Sequence, residues 1–229
     1  MDAELRSRIA RRALQVLILF VFLAALLFLS AGRTDWPWAW AFLGLYLAGM
    51  AANAALLLRF SPETMAQRGE AAGMRAWDRV VGGAFGLTFF IAIPLVAGLD
   101  ARFGWSSLRL GGHLLGLALF VPGYALLSWS MVANAHFATV VRVGPEGTHA
   151  VCDRGPYRHV RHPGYLGAVF QSLGLPLILG SAWGLLPGAL AAILLVLRTA
   201  LEDRDLRRDL PGYTAYAARV RYRLLPGLW

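Results

Sequence analysis

Six predominantly apolar runs limit what this chain can fold into more than any motif does. Ala13 to Gly32, Trp38 to Leu58, Val80 to Leu99 and Leu110 to Ala133 are each long enough, at about 1.5 Å per helical residue, to cross a hydrocarbon core of about 30 Å. Two further runs, Tyr165 to Leu179 and Leu185 to Leu201, are shorter and separated only by Gly180-Ser181-Ala182-Trp183-Gly184. They read as a helical hairpin that need not span completely. The expected fold is therefore all-α: a polytopic membrane helical bundle of four spans plus a C-terminal hairpin, with five or six membrane helices. Hydrophobic residues make up 58% of the 229 and charged residues only 15%, against roughly 25% charged in soluble domains. This excludes a soluble domain, a disordered chain and a collagen-like repeat.

The first run follows Arg6, Arg8, Arg11 and Arg12, as the apolar core of a signal peptide would. It is too long for that, and it leads into Trp36-Pro37-Trp38-Ala39-Trp40, a tryptophan cluster suited to a membrane interface. It reads as a retained span. The net charge of +9 would suggest nucleic acid if it lay on one soluble face, but all 22 basic residues are arginines placed between apolar runs. No nucleic-acid partner is expected. Nineteen of these arginines fall in the N-terminus, the second-to-third connection, segment 134–163 and the region from Arg198 onward; Arg33, Arg102 and Arg109 fall on the other side. Such a bias places both termini and segment 134–163 in the cytoplasm. An alanine-, glycine- and arginine-rich chain without lysine suggests a GC-rich bacterial genome, hence the inner membrane. Cys152 is single and cannot form a disulfide within the chain.

Inside the runs polar residues are scarce. Gly82-xxx-Gly86 and Gly112-xxx-Gly116 have the spacing that lets membrane helices approach closely. Pro94 and Pro122 are expected to kink their helices, and Asn53, Thr88, His113 and Gln171 to make hydrogen bonds between helices. Neither an internal repeat nor a buried acid or base pair of transporter type is evident.

The chemistry is concentrated in two regions, so the chain divides into 1–133, transmembrane, and 134–229, catalytic. Between the turn signals Gly155-Pro156 and Pro163-Gly164 lie Tyr157, Arg158, His159, Arg161 and His162. A lipid-headgroup contact alone would account for the arginines but not for the aromatic and imidazole groups. A metal site on His159 and His162 is disfavoured, because neighbouring guanidinium groups repel a cation and no thiolate or acid pair accompanies them. Further on, Arg198 and Glu202 stand one helical turn apart and read as a solvated ion pair. Leu206, Leu210, Tyr213, Ala217 and Val220 recur at helical spacing, which suits an interfacial C-terminal helix with Tyr213 and Tyr216 as anchors.

Gly155-Pro156-Tyr157, Arg161-His162-Pro163-x-Tyr165-x-Gly167, the acidic pair Glu202-Asp203, and Gly212-Tyr213-x-x-Tyr216-x-x-x-Val220-x-x-x-Leu224-x-Pro226 together resemble the isoprenylcysteine carboxyl methyltransferases and the related phospholipid N-methyltransferases. The resemblance covers roughly residues 149–226, and the family commonly carries two glutamates where this chain has Glu202-Asp203. It implies an integral membrane methyltransferase that uses S-adenosylmethionine and releases S-adenosylhomocysteine. On matching positions it implies a cofactor site of His149, Val151, Tyr157, His159, Arg161, His162, Tyr165 and Glu202, closed by Tyr213 and Tyr216, with Arg161, His162 and Glu202 as the catalytic group. No metal is implied. The acceptor would be a lipophilic small molecule or lipid that arrives from the bilayer, among membrane lipids and with no obligate protein partner.

The residue types suit that donor. An arginine such as Arg161 can hold a methionine carboxylate at two points, Glu202 can take the ammonium or the ribose hydroxyls, and Tyr157 or Tyr165 can pack on adenine or beside the sulfonium. A carboxylate acceptor, as on a prenylcysteine-like or isoprenoid substrate, needs no general base. An amine acceptor must react unprotonated, which would make Glu202 or His162 the base. An NADPH-dependent membrane reductase of similar layout, or a non-catalytic lipid-binding protein, are the competing readings.

Overall fold

The computed structural model describes residues 3–60, 74–134 and 151–229. His149 lies outside the described residues, as do Arg68 and Arg142 of the arginine count. Among the described residues all regular structure is helical. Helix α1 spans Ala3–Ala31, α2 Pro37–Phe60, α3 Ala76–Phe103, α4 Leu110–Ala133, α5 Pro163–Ile178, α6 Leu185–Asp209 and α7 Tyr213–Arg219. A 3-10 turn at Gly155–Arg158 precedes α5. Helices α1, α2, α3, α4 and α6 contain stretches long and apolar enough to cross a membrane. With 16 residues, α5 is about 24 Å long and falls short of the core thickness. The hairpin is thus one short helix against one long one.

The proline of α3 acts through the turn before it. Thr88–Ala92 winds as a π-helix immediately ahead of Pro94, which opens the next α-helical segment. Proline lacks an N–H and crowds the carbonyl four residues back, and a widened turn accommodates both. Pro122 stays inside a continuous α4.

Close helix approach uses one glycine of the expected pairs, Gly116, together with glycines outside them. A Cβ on Gly123 would meet the Gly167 carbonyl oxygen at 2.6 Å, and one on Gly116 would meet the Ile178 nitrogen at 2.5 Å and the Gly174 oxygen at 2.8 Å. Gly116 and Gly123 of α4 therefore press on Gly174 and Gly167 of α5, with a seven-residue interval on each helix. Of the expected pairs, Gly116 serves as read, Gly112 meets only its own neighbour Leu108, and Gly86 opens onto empty space. Gly86 is a space-maker rather than a contact, because the small residues around it leave a cavity.

Two of the four expected interhelical hydrogen bonds stay within one helix. Thr88 donates to Ala84 O and Gln171 to Gly167 O, each one turn back. His113 does cross: its Nδ1 lies 2.8 Å from Ile178 O and its ring stacks on Trp38 at 4.1 Å. Asn53 reaches only the Met131 sulfur, at 3.5 Å. The tryptophan cluster divides, with Trp36 buried in the core and Trp40 exposed.

Polar networks tie each end of the bundle. At one end, buried Asp100 accepts from the Ser106 and Ser181 hydroxyls, joining the α3–α4 connection to the hairpin turn. At the other, Arg75 pairs with Asp209 and Trp77 donates to Asp205, fixing the start of α3 on the end of α6. The segment 151–162 packs at this second end, where α5 begins and α6 ends.

Candidate active site

The site grows from one local accident of helix geometry: Glu202 and Asp203 are adjacent on α6 and so point about 100° apart. Asp203 turns into the protein and is 1% exposed. Arg161 grips it at two points, Nε to Oδ1 at 2.7 Å and Nη2 to Oδ2 at 3.2 Å. Tyr213 donates to Oδ1 at 2.9 Å, while Arg207 and Arg223 donate to Oδ2 at 3.1 and 3.0 Å. A buried carboxylate would be prohibitive alone, and here every lone-pair direction is used.

Arg161 is equally committed. Its Nη1 donates to the carbonyls of Val220 and Arg221 at 2.8 and 2.7 Å, and its backbone N–H donates to Tyr222 O. The next N–H, of His162, donates to Arg223 O. The Arg-His step therefore laces the C-terminal segment onto the head of α5. Of the arginines that could hold a ligand carboxylate, Arg161 has its fork filled by Asp203 in this arrangement and positions its neighbours.

Glu202 faces the other way. Its Oε2 accepts the Tyr165 hydroxyl proton, and Tyr165 stacks its ring parallel to His162, 6° from coplanar with centroids 5.8 Å apart. The His162 Nε2 lies 3.3 Å from the Tyr213 hydroxyl. His162, Tyr165, Glu202 and Tyr213 thus form one contiguous group across three helices, although 51 positions separate His162 from Tyr213.

The remaining expected residues occupy the wall and the rim. Tyr157 is buried and its carbonyl accepts the Tyr216 hydroxyl at 2.7 Å. Val151 packs on the cluster of Leu210, Tyr213, Tyr216 and Ala217. The apolar stripe read as an interfacial helix is divided by a turn at residues 210–212, with Gly212 at φ +81°, and part of it packs against Val151. His159 stands exposed at the rim beside exposed Arg158. Burial raises the Tyr157, Tyr213 and Tyr216 phenols above their ordinary range, and Asp203 adds to the effect at Tyr213. Burial likewise pushes the Cys152 thiol up.

Arg198 does not form a solvated pair with Glu202. It is buried, pairs with Asp78 of α3 at 2.7 and 3.0 Å, and lies over the Tyr165 ring at 5.2 Å. Asp78 and Asp203 were not anticipated as parts of the site's frame. Asp78 sits in the first turn of α3, and a lone acid beside an apolar run is the only signal the sequence offers for it.

Below Tyr165 lies a chamber of about 580 Å³ within the bundle. Gly82 and Gly86 of α3, Ala51 and Ala54 of α2, and Gly164 and Ala168 of α5 leave the room, while Phe85, Phe89 and Leu57 supply apolar wall. Tyr165 belongs to both compartments: its hydroxyl serves Glu202 and its ring lines the chamber. A polar group thus meets a lipophilic cavity at one side chain.

Residues 115–208 match the isoprenylcysteine carboxyl methyltransferase family. No curated protein matches the chain. The matched region runs from within α4 almost to the end of α6 and contains Arg161, His162, Tyr165, Glu202 and Asp203. The isoprenylcysteine carboxyl methyltransferase match and the five membrane-length helices together support an integral membrane methyltransferase.

Proposed function

We propose that this chain transfers a methyl group from S-adenosylmethionine to a lipophilic acceptor, with a carboxylate of a prenylcysteine-like or isoprenoid molecule as the leading acceptor class. The observation that carries this reading is the double membership of Tyr165, whose hydroxyl belongs to the Glu202 and His162 group while its ring borders the apolar chamber. A water-soluble donor and an oily acceptor need such a junction. The arginine bias supports a junction at the cytoplasmic face, and the alanine-, glycine- and arginine-rich composition supports a bacterial inner membrane.

The residues present fit the donor. Glu202 uses Oε2 for Tyr165, which leaves Oε1 for an ammonium or a ribose hydroxyl. With Arg161 occupied, exposed Arg158 on the 3-10 turn is a guanidinium that could take a carboxylate. The stacked His162 and Tyr165 rings offer a face to adenine or to the sulfonium. When bound, the donor supplies an electrophilic methyl group. The chain's own task is alignment, because in-line displacement depends on holding nucleophile and methyl in register. Tyr165, fixed by Glu202 on one edge and Arg198 over its ring, is the rigid part of that alignment. A low-dielectric chamber favours a reaction in which donor and acceptor charges cancel. The raised Tyr157, Tyr213 and Tyr216 phenols stay neutral at physiological pH, so they serve as donors and walls.

The test is a calorimetric titration of the purified chain with S-adenosylmethionine, repeated with Glu202→Ala, His162→Ala and Arg158→Ala, followed by labelled-donor incubation with a native lipid extract. Loss of affinity in Glu202→Ala and His162→Ala, with a labelled lipid ester as product, is expected. Unchanged affinity in all three variants would remove the reading. A labelled lipid amine would shift the acceptor class to that of a lipid N-methyltransferase, and NADPH binding in place of the donor would favour a reductase.

A further inference from the structure

Two guanidinium groups line the chamber, and they differ in what balances them. Arg198 is neutralised by Asp78 in a two-point pair. Arg12 of α1 has one hydrogen bond, from Nη1 to the neutral Gln15 Oε1 at 3.2 Å, and no carboxylate partner among the described residues. A guanidinium carries five N–H donors and is never deprotonated in practice. At the wall of a largely apolar cavity that also presents Tyr46, Asn53, Ser128 and Gln171, its charge has no carboxylate to balance it among the described residues and attracts an anion more strongly than it would in bulk water.

We infer that the chamber holds a single-chain amphiphile whose anionic anchoring group, a phosphate or carboxylate, pairs with Arg12. This anchor is distinct from the group that reacts. A carboxylate locked to a guanidinium is a poor nucleophile, and the methyl-transfer residues Glu202 and His162 are elsewhere, on the far side of Tyr165. The acceptor is therefore bifunctional: one charged group held at α1, an apolar body among Leu57, Phe85 and Phe89, and a second group presented at Tyr165. The volume lies within the range of about 300–1,000 Å³ usual for small-molecule sites. Charge complementarity selects the anion, and the volume of about 580 Å³ suits one chain rather than a bilayer patch. This inference builds on the reading of the chamber as the acceptor's site, yet its test requires no methyl transfer.

The experiment is native mass spectrometry of the full chain in detergent with equimolar oleyl phosphate and oleyl alcohol, which share a chain and differ in the anion. Wild type should retain the phosphate over the alcohol by about fivefold, the scale of one basic group near a membrane surface. Arg12→Gln should abolish that preference while still retaining the alcohol. Arg11→Gln, an exposed neighbour outside the chamber, should leave it intact. Gly86→Leu should expel both ligands, since its side chain enters open space in the cavity; Gly86→Ala provides the milder version if leucine impairs folding. Equal loss in Arg11→Gln and Arg12→Gln, retention of both ligands in the Gly86 variants, or displacement by excess dioleoylphosphatidylglycerol would each overturn the inference in favour of ordinary headgroup binding. If this binding pattern holds and no lipid is methylated, the anchor stands and the methyltransferase reading falls.

Discussion

Arg161 and Asp203 face each other across the α5–α6 hairpin in a two-point ion pair, with side chains 2% and 1% exposed. Removing one partner leaves the other charge buried, which costs about 3–5 kcal/mol in comparable sites. Asp203→Ala is expected to lower the thermal unfolding midpoint in detergent and to release the C-terminal segment, because Tyr213, Arg207 and Arg223 lose their acceptor together. Limited proteolysis read beside the melting curve checks this: cleavage near residues 220–224 should accelerate more than cleavage elsewhere. Arg161→Lys should fail to rescue, since an ammonium cannot supply the fork or reach the Val220 and Arg221 carbonyls as well.

The Arg198 and Asp78 pair joins α6 to α3 beneath Tyr165. Arg198→Met alone should destabilise strongly by stranding Asp78, whereas Arg198→Met with Asp78→Leu should regain much of the loss, as apolar replacement of buried pairs often does. The double variant keeps the fold but removes the cation above the Tyr165 ring, so donor affinity should remain weakened. Melting temperature and calorimetric affinity measured on the same samples separate the two effects.

How much of this was legible beforehand follows from the range of each signal. Helix positions depend on local hydropathy and were readable to within a few residues at most ends, including the short α5; α1 begins ten residues before Ala13 and α6 runs eight past Leu201, because charged turns extend a helix that hydropathy does not mark. The grouping of Tyr165, His162 and Glu202 was readable only through a motif pattern, because the contacts cross 37 residues or more. The division of labour between Glu202 and Asp203 was not readable. Adjacent positions on a helix face different partners, and which one meets Arg161 depends on the rotation of α6 against α5. Arg198 was misassigned for the same reason: the one-turn rule favoured Glu202, while tertiary packing supplied Asp78 from 120 positions away. The seven-residue glycine interval on α4 and α5 is present in the sequence, but only the packed pair of helices shows which glycines face each other.

Tyr157, Tyr213 and Tyr216 set an alkaline limit. Their folded-state values are raised above the unfolded value of about 10, so the stability they contribute is fully present below that pH and is lost as pH rises toward their folded values. The unfolding midpoint should therefore be insensitive to these groups from pH 7 to 9 and should fall above about pH 10. Circular-dichroism melts across pH 7–11 check this. Tyr157→Phe should soften the alkaline fall, at the cost in neutral solution of the hydroxyl's contacts with the Asn134 side chain and, at 3.5 Å, with Ser130 O.

Gly123 and Gly167 test whether helix spacing controls the site. Alanine at Gly123 would place Cβ 2.6 Å from the Gly167 carbonyl oxygen, and alanine at Gly167 would place it 2.4 Å from the Gly123 oxygen. The obstacle in both cases is backbone, so α4 and α5 must separate, and overpacking of this kind costs about 1–3 kcal/mol. Because α5 carries Tyr165 within its first turn, the shift also moves the ring away from Glu202. Donor affinity should then fall by more than the loss of stability alone explains. Gly83→Ala is the control: its Cβ meets nothing within 4 Å, and replacing a helix-interior glycine there should stabilise by up to about 1 kcal/mol. Equal donor affinity in Gly123→Ala, Gly167→Ala and Gly83→Ala would show that the α4–α5 spacing has no bearing on the Tyr165 and Glu202 geometry.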